Sequence, residues 1–433
     1  MSNIFTTPPN SNNNRGSNRR TSQNYSQQSQ SHYKVQPPPL VEPIIEDTTD
    51  YENLKIKNWD DLEIRPDLLR GIFAYGYDSL SPIQQKAIAP ILNGRDVIGQ
   101  AQSGTGKTAT FAIGALNSVK IESKTTQVLV LSPTRELSKQ THKVISTLGN
   151  AMEGLVVQNI VGGTCVDEDI SIYNKNKPHI VVGCPGRAFD ILRRRIIDGS
   201  LIKMIVIDEA DEMLSSGFKD QIYNIFQMFN RNIQVVLFSA TLPENIFEIT
   251  TKFMKTPVTI MVKAEQLTLE GISQYFVAID NDQQKYATLK DIYSFLSLSQ
   301  CIIYCNSVNR VVDLFEAMQQ DGFPVCCIHS EMESEVRDES FTKFRVGEAR
   351  VLISTNVTAR GIDVQQVGVV INFDIPKCVH NYLHRIGRSG RWGRKGVGIN
   401  FMTRRDVFKM KEFEEYYACQ IEPLPENLSN IMR

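Results

Sequence analysis

The chain has 433 residues, 41% of them hydrophobic, and carries 47 Lys and Arg against 48 Asp and Glu. One core rarely grows that large, so two folded domains are expected. The near-zero net charge excludes a globally basic nucleic-acid coat, and the lack of any apolar run of about 18 residues excludes a membrane-spanning helix.

Residues 1–52 are rich in Asn, Ser, Gln and Pro with almost no apolar periodicity, the composition of a disordered tail. No acidic residue precedes Glu42, whereas Arg15, Arg19, Arg20 and Lys34 are present. Weak attraction for a polyanion and plain solubilisation read this tail equally well. It contains no apolar segment of the kind a secretory signal needs, so a soluble, intracellular protein is expected.

A first domain is expected over 53–262. Asp96 to Ile98 reads as a short buried strand and Ala109 onward as a helix; the turn between them runs Ala101, Gln102, Ser103, Gly104, Thr105, Gly106, Lys107, Thr108. Strand, glycine-rich turn and helix together make a phosphate-binding loop: glycines let backbone N–H groups crowd around phosphate oxygens, and the helix N-terminus adds its positive end. Lys107 would reach the outer phosphates and Thr108 would ligate Mg²⁺. Ala101 stands where the general pattern has its first glycine.

The apolar runs Val128 to Leu131, Ile180 to Val182, Met204 to Ile207 and Val235 to Phe238 alternate with amphipathic stretches, the pattern of a parallel sheet with helices on both faces. Met204 to Ile207 leads directly into Asp208, Glu209, Ala210 and Asp211. Ligands in such sheets bind at strand C-termini. Asp208 is therefore a candidate Mg²⁺ ligand, through water, and Glu209 a candidate to position or deprotonate an attacking water. Carboxylates at a strand end also cap helix starts, so the cluster takes its meaning from the loop upstream.

Residues 263–271 read as a linker. A second domain, 272–433, repeats the pattern with Cys301 to Tyr304, Val351 to Ile353 and Val369 to Asn372, and with helix-like Val311 to Met318 between. Arg388 and Arg391 are spaced by one helical turn and are expected to point at one ligand. As arginine fingers they would neutralise γ-phosphate charge and make hydrolysis conditional on domain closure. Arg385, Arg394 and Lys395 flank them, so a merely basic surface is the alternative. Arg193, Arg194 and Arg195 read as a solvated helix end. The eight cysteines form no CxxC or zinc spacing and are expected as reduced core thiols, with Cys326 and Cys327 inside an apolar run.

With these motifs in this order, the chain from about residue 55 to 433 resembles the DEAD-box RNA helicases, and within them the initiation factor 4A group. The resemblance implies two tandem RecA-like domains, with ATP and Mg²⁺ in the cleft between them. Gly76 to Gln84 resembles the adenine-reading segment, with Trp59 as its upstream aromatic. Tyr77 would stack on the base, and the amide of Gln84 would donate and accept at once, although an ordinary helix-surface glutamine reads the same. Ser103, Gly104, Thr105 and Gly106 would line the phosphates, and Asp363 would bind the ribose hydroxyls. Ser239 and Thr241 resemble the segment coupling hydrolysis to RNA, and His384 joins Arg388 and Arg391 in the catalytic set. Pro133, Thr134, Arg135, Gly163, Gly186 and Arg187 would grip RNA in the first domain. Asn306, Arg337, Thr355 and Gly361 would extend that track across the second. Contacts to the sugar-phosphate chain predict sequence-independent, salt-sensitive binding.

The chain departs from the family pattern at several positions. Leu80 replaces a proline, Trp59 a phenylalanine, Ser334 a glutamine, Ser330 and Glu331 a Gly-Asp pair, and Asn356 an aspartate. Cys184 replaces a threonine whose hydroxyl would donate to an RNA phosphate. These changes are expected to tune RNA affinity. The implied activity is RNA-stimulated ATP hydrolysis, with closure on bent single-stranded RNA and local separation of short duplexes. The rival is an ATP-gated RNA clamp within a ribonucleoprotein. Implied partners are an initiation factor 4G-type scaffold or a splicing-linked complex, with no membrane. Ser354 with Thr355, the Arg388 to Arg391 segment and the Arg193 triplet incline toward the nuclear, splicing-linked branch. Compartment is left open between nucleus and cytoplasm, and the resemblance disfavours a DNA helicase.

Overall fold

The computed structural model describes residues 56–101, 104–163, 165–215, 217–242, 244–261, 272–296, 300–359, 367–389 and 396–425. The tail, the linker, Ser103, Gly361, Asp363 and Arg391 lie outside the described residues.

The first sheet contains β1 (Val97–Gln100), β2 (Val128–Leu131), β3 (Val157–Ile160), β4 (Ile180–Gly183), β5 (Met204–Asp208), β6 (Gln234–Ser239) and β7 (Val258–Met261). The second contains β8 (Ile272–Ala278), β9 (Gln300–Tyr304), β10 (Val325–Ile328), β11 (Val351–Ser354), β12 (Val367–Asn372), β13 (Gly396–Met402) and β14 (Glu422–Pro423). Their orders are β3-β4-β2-β5-β6-β1-β7 and β10-β11-β9-β12-β13-β8-β14. Counted within its own sheet, each follows the same permutation, so one topology occurs twice. The neighbouring strands pair in parallel, as expected for two RecA-like units.

Alternation along each strand explains why continuous apolar runs were needed. Val128 and Val130 join one core cluster with Val206 and Phe238, while Leu129 and Leu131 join another with Ile205 and Leu237. The second sheet divides likewise: Cys301 and Ile303 face one cluster, Ile302 and Tyr304 the other. A sheet covered on both faces leaves no polar side to its central strands. Each fully buried Leu or Ile contributes roughly 1.5–3 kcal/mol of transfer free energy. The core-thiol expectation holds for Cys301, Cys305, Cys326 and Cys327, but Cys165 is exposed. The Arg193 run ends the Pro185–Arg193 helix, where Arg193 and Arg194 pair with Asp190. Among the described residues no helix is long and apolar enough to cross a membrane.

In the first sheet β5, β6 and β1 are adjacent. Their register sets Gln100 beside Ser239 and Asp208 beside Phe238. The strand ends carrying the glycine loop, the acidic cluster and Ser239 therefore open on one edge.

Candidate nucleotide and RNA site

Gly104 and Gly106 both have positive φ, +85° and +99°, and Gly106 caps the Lys107–Ser118 helix. A Cβ on Gly106 would lie 2.9 Å from Gln84 Nε2 and 3.0 Å from Ser81 Oγ. Glycine is required there by conformation and by space. Lys107, 5% exposed, places Nζ 3.5 Å from Glu209 Oε1, and Thr108 follows it half-buried in the first helical turn. Gln84 is no surface glutamine: it is buried, its Oε1 accepts the Ser81 N–H at 2.7 Å, and its amide nitrogen faces the phosphate loop.

The aromatic face expected from Trp59 is not presented. Trp59 is 2% exposed, and its indole N–H donates to the Tyr77 carbonyl at 2.9 Å. The half-buried ring of Tyr77 packs instead against Tyr75, centroids 4.7 Å apart. Trp59 thus positions Tyr77 from behind.

Asp208, Glu209 and Asp211 are all buried. Glu209 adopts a left-handed backbone, φ +51°, which costs a non-glycine residue about 1–2 kcal/mol. Its N–H donates to Asp208 Oδ1 at 3.0 Å. Burial, then the Glu209 charge, pushes Asp208 up to about 7, against the pull of Lys107. Three buried carboxylates beside the start of the Lys107–Ser118 helix form an oxygen donor set that suits a divalent ion, so these residues fit Mg²⁺.

The sequence reading gave Asp211 no role, yet it is where the domains meet. Its Oδ2 accepts from Thr241 Oγ1 at 2.8 Å and lies 3.0 Å from His384 Nε2. Its N–H donates to Ser239 Oγ at 3.3 Å. Single ligand atoms of Glu209, Asp211 and His384 fall within 4.8 Å of one another. His384 lies on the Val379–Ile386 helix of the second domain. That helix ends before Arg388, with Gly387 as its cap. The expected helical pairing of Arg388 with Arg391 therefore fails at its first member. Arg388 is 3% exposed, and its Nε donates to the His384 carbonyl at 3.2 Å.

Arg385, for which a basic surface was the alternative reading, is completely buried. Its Nε donates to Asn356 Oδ1 at 2.7 Å and its Nη2 to Asn306 Oδ1 at 2.8 Å. Its Nη1 reaches Asn372 Oδ1 at 3.2 Å and the Asp374 carbonyl at 2.8 Å. The guanidinium lies 5.2 Å over the Tyr304 ring, and burial pulls its pKa down to about 10. Asn306, expected on the RNA track, faces inward: its Oδ1 serves Arg385 and its Nδ2 donates to the Ile375 carbonyl at 2.8 Å.

The residues expected along RNA divide in the same way. Thr134 caps the Arg135–Leu148 helix, its Oγ1 accepting from Leu137 N–H at 3.3 Å. Arg135 lies across the Gly162–Gly163 turn, where a Cβ on Gly163 would come within 2.2 Å of its Nη1. Pro133 is buried; Gly186 and Thr355 are half-buried. Arg187 is held by Asp169 in a largely buried ion pair. Cys184 precedes the Pro185–Arg193 helix, and burial pushes its thiol up to about 12. Arg337 is off the RNA surface: it is 5% exposed, with Nη2 donating to Glu136 Oε2 at 2.7 Å and Nε 2.5 Å from Oε1. Glu136 had no expected role, and this two-point pair is a second cross-domain contact.

Residues 81–249 match the family described as DEAD/DEAH box helicase, and residues 284–393 match the helicase conserved C-terminal domain. This chain belongs to the DEAD/DEAH box helicases. Membership makes it an ATP-dependent RNA helicase. The chain is 49% identical over 380 residues to the ATP-dependent RNA helicase eIF4A of Debaryomyces hansenii, covering 88% of this chain and 95% of that protein. Among solved structures, S. cerevisiae Dbp5 bound to RNA and ADP BeF3 superposes with a TM-score of 0.80 at 31% identity, over 87% of this chain and all of that one. A single-residue variant of S. cerevisiae Dbp5 bound to Nup159, a variant Gle1, IP6 and ADP gives 0.57 at 30% identity, over 85% of this chain and 97% of that one.

Proposed function

We propose that this helicase couples ATP hydrolysis to RNA through Asp211, which holds Thr241 of its own domain and His384 of the other beside Glu209. That shared carboxylate is the observation carrying the reading. The catalytic base or water-positioning group, Glu209, abuts an acceptor that gains its His384 contact only when the domains meet, so hydrolysis is conditional on closure. Lys107 and the backbone of Gly104 to Gly106 cradle the phosphates. Tyr77 and Gln84 contact adenine, while Arg388 and Arg391 offset charge on the leaving phosphate. Asp363 serves the ribose. Thr108 and Asp208 would hold Mg²⁺, which when bound neutralises phosphate charge. Arg135, Gly163, Gly186, Arg187, Thr355 and Gly361 line the path of single-stranded RNA. Binding of one bent strand would separate short duplexes locally.

The extent of the match to an eIF4A favours translation initiation over the splicing-linked branch, with an initiation factor 4G-type scaffold as partner and the cytoplasm as the site of action. Steady-state ATP hydrolysis with and without single-stranded RNA, with Lys107→Ala as the control for contaminating activity, tests the reading. RNA stimulation that disappears in the variant supports it. ATP-dependent RNA retention without turnover would replace it with the clamp.

A further inference from the structure

Among the described residues, besides the His384 contact, the domains touch through two ion pairs set side by side on facing helices. The Arg135–Leu148 helix of the first domain carries Glu136 and Lys139, one turn apart on one face. The Ser334–Val346 helix of the second carries Arg337 and Asp338. Glu136 pairs with Arg337, 201 residues away in sequence, and Lys139 with Asp338, 199 residues away. The charges therefore cross, acid to base on one side and base to acid on the other. Sliding one helix against the other would set like charges together. The two pairs differ in environment: side chains of Glu136 and Arg337 are 6% exposed, those of Lys139 and Asp338 38% and 51%.

We propose that Lys139 and Asp338 are positioning residues: a solvent-exposed clasp that sets how firmly the domains hold the closed arrangement, with Lys139 not an RNA ligand. The inference rests on ATP-dependent closure around RNA as the working cycle. A buried pair such as Glu136 with Arg337 is costly to break and acts as an all-or-none lock. An exposed pair contributes little, is screened by salt and can be made and broken within each cycle. Lys139 stands four residues beyond Arg135, on the helix that begins the expected RNA path, so a basic residue there would ordinarily be assigned to phosphate. Its ammonium is instead engaged by a carboxylate of the other domain, and a half-exposed carboxylate beside a phosphate chain would repel it.

Asp338→Lys separates the two assignments by sign. In the clasp, attraction to Lys139 becomes repulsion, and RNA affinity with a non-hydrolysable ATP analogue falls roughly three- to tenfold. The loss is larger at low salt, whereas RNA affinity with ADP is unchanged. If Lys139 binds RNA directly, a second lysine raises affinity, and that outcome overturns the proposal. Lys139→Asp should weaken binding alone and recover with Asp338→Lys in the double variant, with the change in KM for RNA and not in kcat. Failure of the exchanged pair to recover also overturns it. Wild-type protein with no nucleotide-dependent RNA binding would instead defeat the functional reading on which the clasp rests.

Discussion

The two sheets share one strand permutation, yet the buried groups at their strand ends are paired differently. In the first domain β5 runs into Asp208, Glu209 and Asp211, three buried carboxylates with Lys107 as the adjacent cation. In the second, the ends of β9, β11 and β12 surround Arg385, whose guanidinium donates to neutral oxygens of Asn306, Asn356, Asn372 and the Asp374 backbone, while the buried Asp374 carboxylate nearby pairs with Lys285 and Arg310. The first gathers three carboxylates at one strand edge beside the phosphate loop, a donor set suited to a cation. The second is closed on itself by hydrogen bonds and ion pairs. One topology thus places residues alike in both domains, and the side chains at the strand ends make the two edges different.

The comparison breaks most visibly at Glu209. Glu209→Gln keeps the shape but removes the base and the ion contact to Lys107, and RNA-stimulated kcat should fall by about 10²–10³-fold. Nucleotide binding, measured by fluorescence titration, should persist. Retained turnover would remove Glu209 from the reaction. Next in size is Asp211→Ala, which strands the Thr241 hydroxyl and His384 together. A loss of about 2–3 kcal/mol, or 30- to 150-fold in RNA-stimulated kcat/KM for ATP, is expected. Thr241→Val removes one of these contacts, keeps that to His384, and should cost distinctly less. Equal effects would mean that the cross-domain contact contributes nothing.

The uneven visibility of these features in the sequence has physical causes. Central strands such as β2 and β5 are buried on both faces and show as unbroken apolar runs. Edge strand β3 is only alternately buried, and β13 carries Gly396, Gly398 and Asn400 in its buried run; neither announces itself. The phosphate loop was readable because its chemistry is local, completed within Gly104 to Thr108. His384 with Asp211 and Arg337 with Glu136 span 173 and 201 residues and exist only where two domains meet, so no local spacing encodes them. Arg385 has no local signal either, because an arginine buried against asparagines is spelled like one on the surface. The missing aspartate at Asn356 was the signal, visible once its side chain is seen to face that guanidinium.

Asn356 also allows the contrast to be sharpened. Asn356→Asp would set a carboxylate where Oδ1 now accepts from Arg385 Nε at 2.7 Å. Compensating a charge already buried should stabilise the second domain by about 1 kcal/mol, read from thermal melts at neutral pH. The sign against pH is definite. The new carboxylate is held below its unfolded pKa, so its gain is present at neutral pH and disappears as pH falls through the folded value. Arg385 itself is the reverse case: its folded pKa is depressed toward about 10, so the native state holds the proton less well and this group's contribution improves as pH rises through that value. A variant no more stable than wild type at neutral pH would show that the neutral acceptors already suffice.

The smallest effect is expected at Cys184, on the face of the first domain proposed to meet RNA. Its backbone precedes the Pro185–Arg193 helix, where a hydroxyl would accept from a free N–H of the first turn, but no side-chain cap bond is made. The thiol, raised to about 12 by burial, stays neutral and is a poor donor to phosphate. Cys184→Thr supplies both functions, and they can be told apart. Capping alone should raise thermal stability by roughly 0.5–1 kcal/mol and leave RNA affinity unchanged. A hydroxyl reaching RNA should also tighten binding roughly two- to threefold, the lower end of what one hydrogen bond contributes. If stability rises while affinity stays flat, RNA passes Cys184 without touching it, and Gly186, Arg187 and Arg135 carry the strand across this face by themselves.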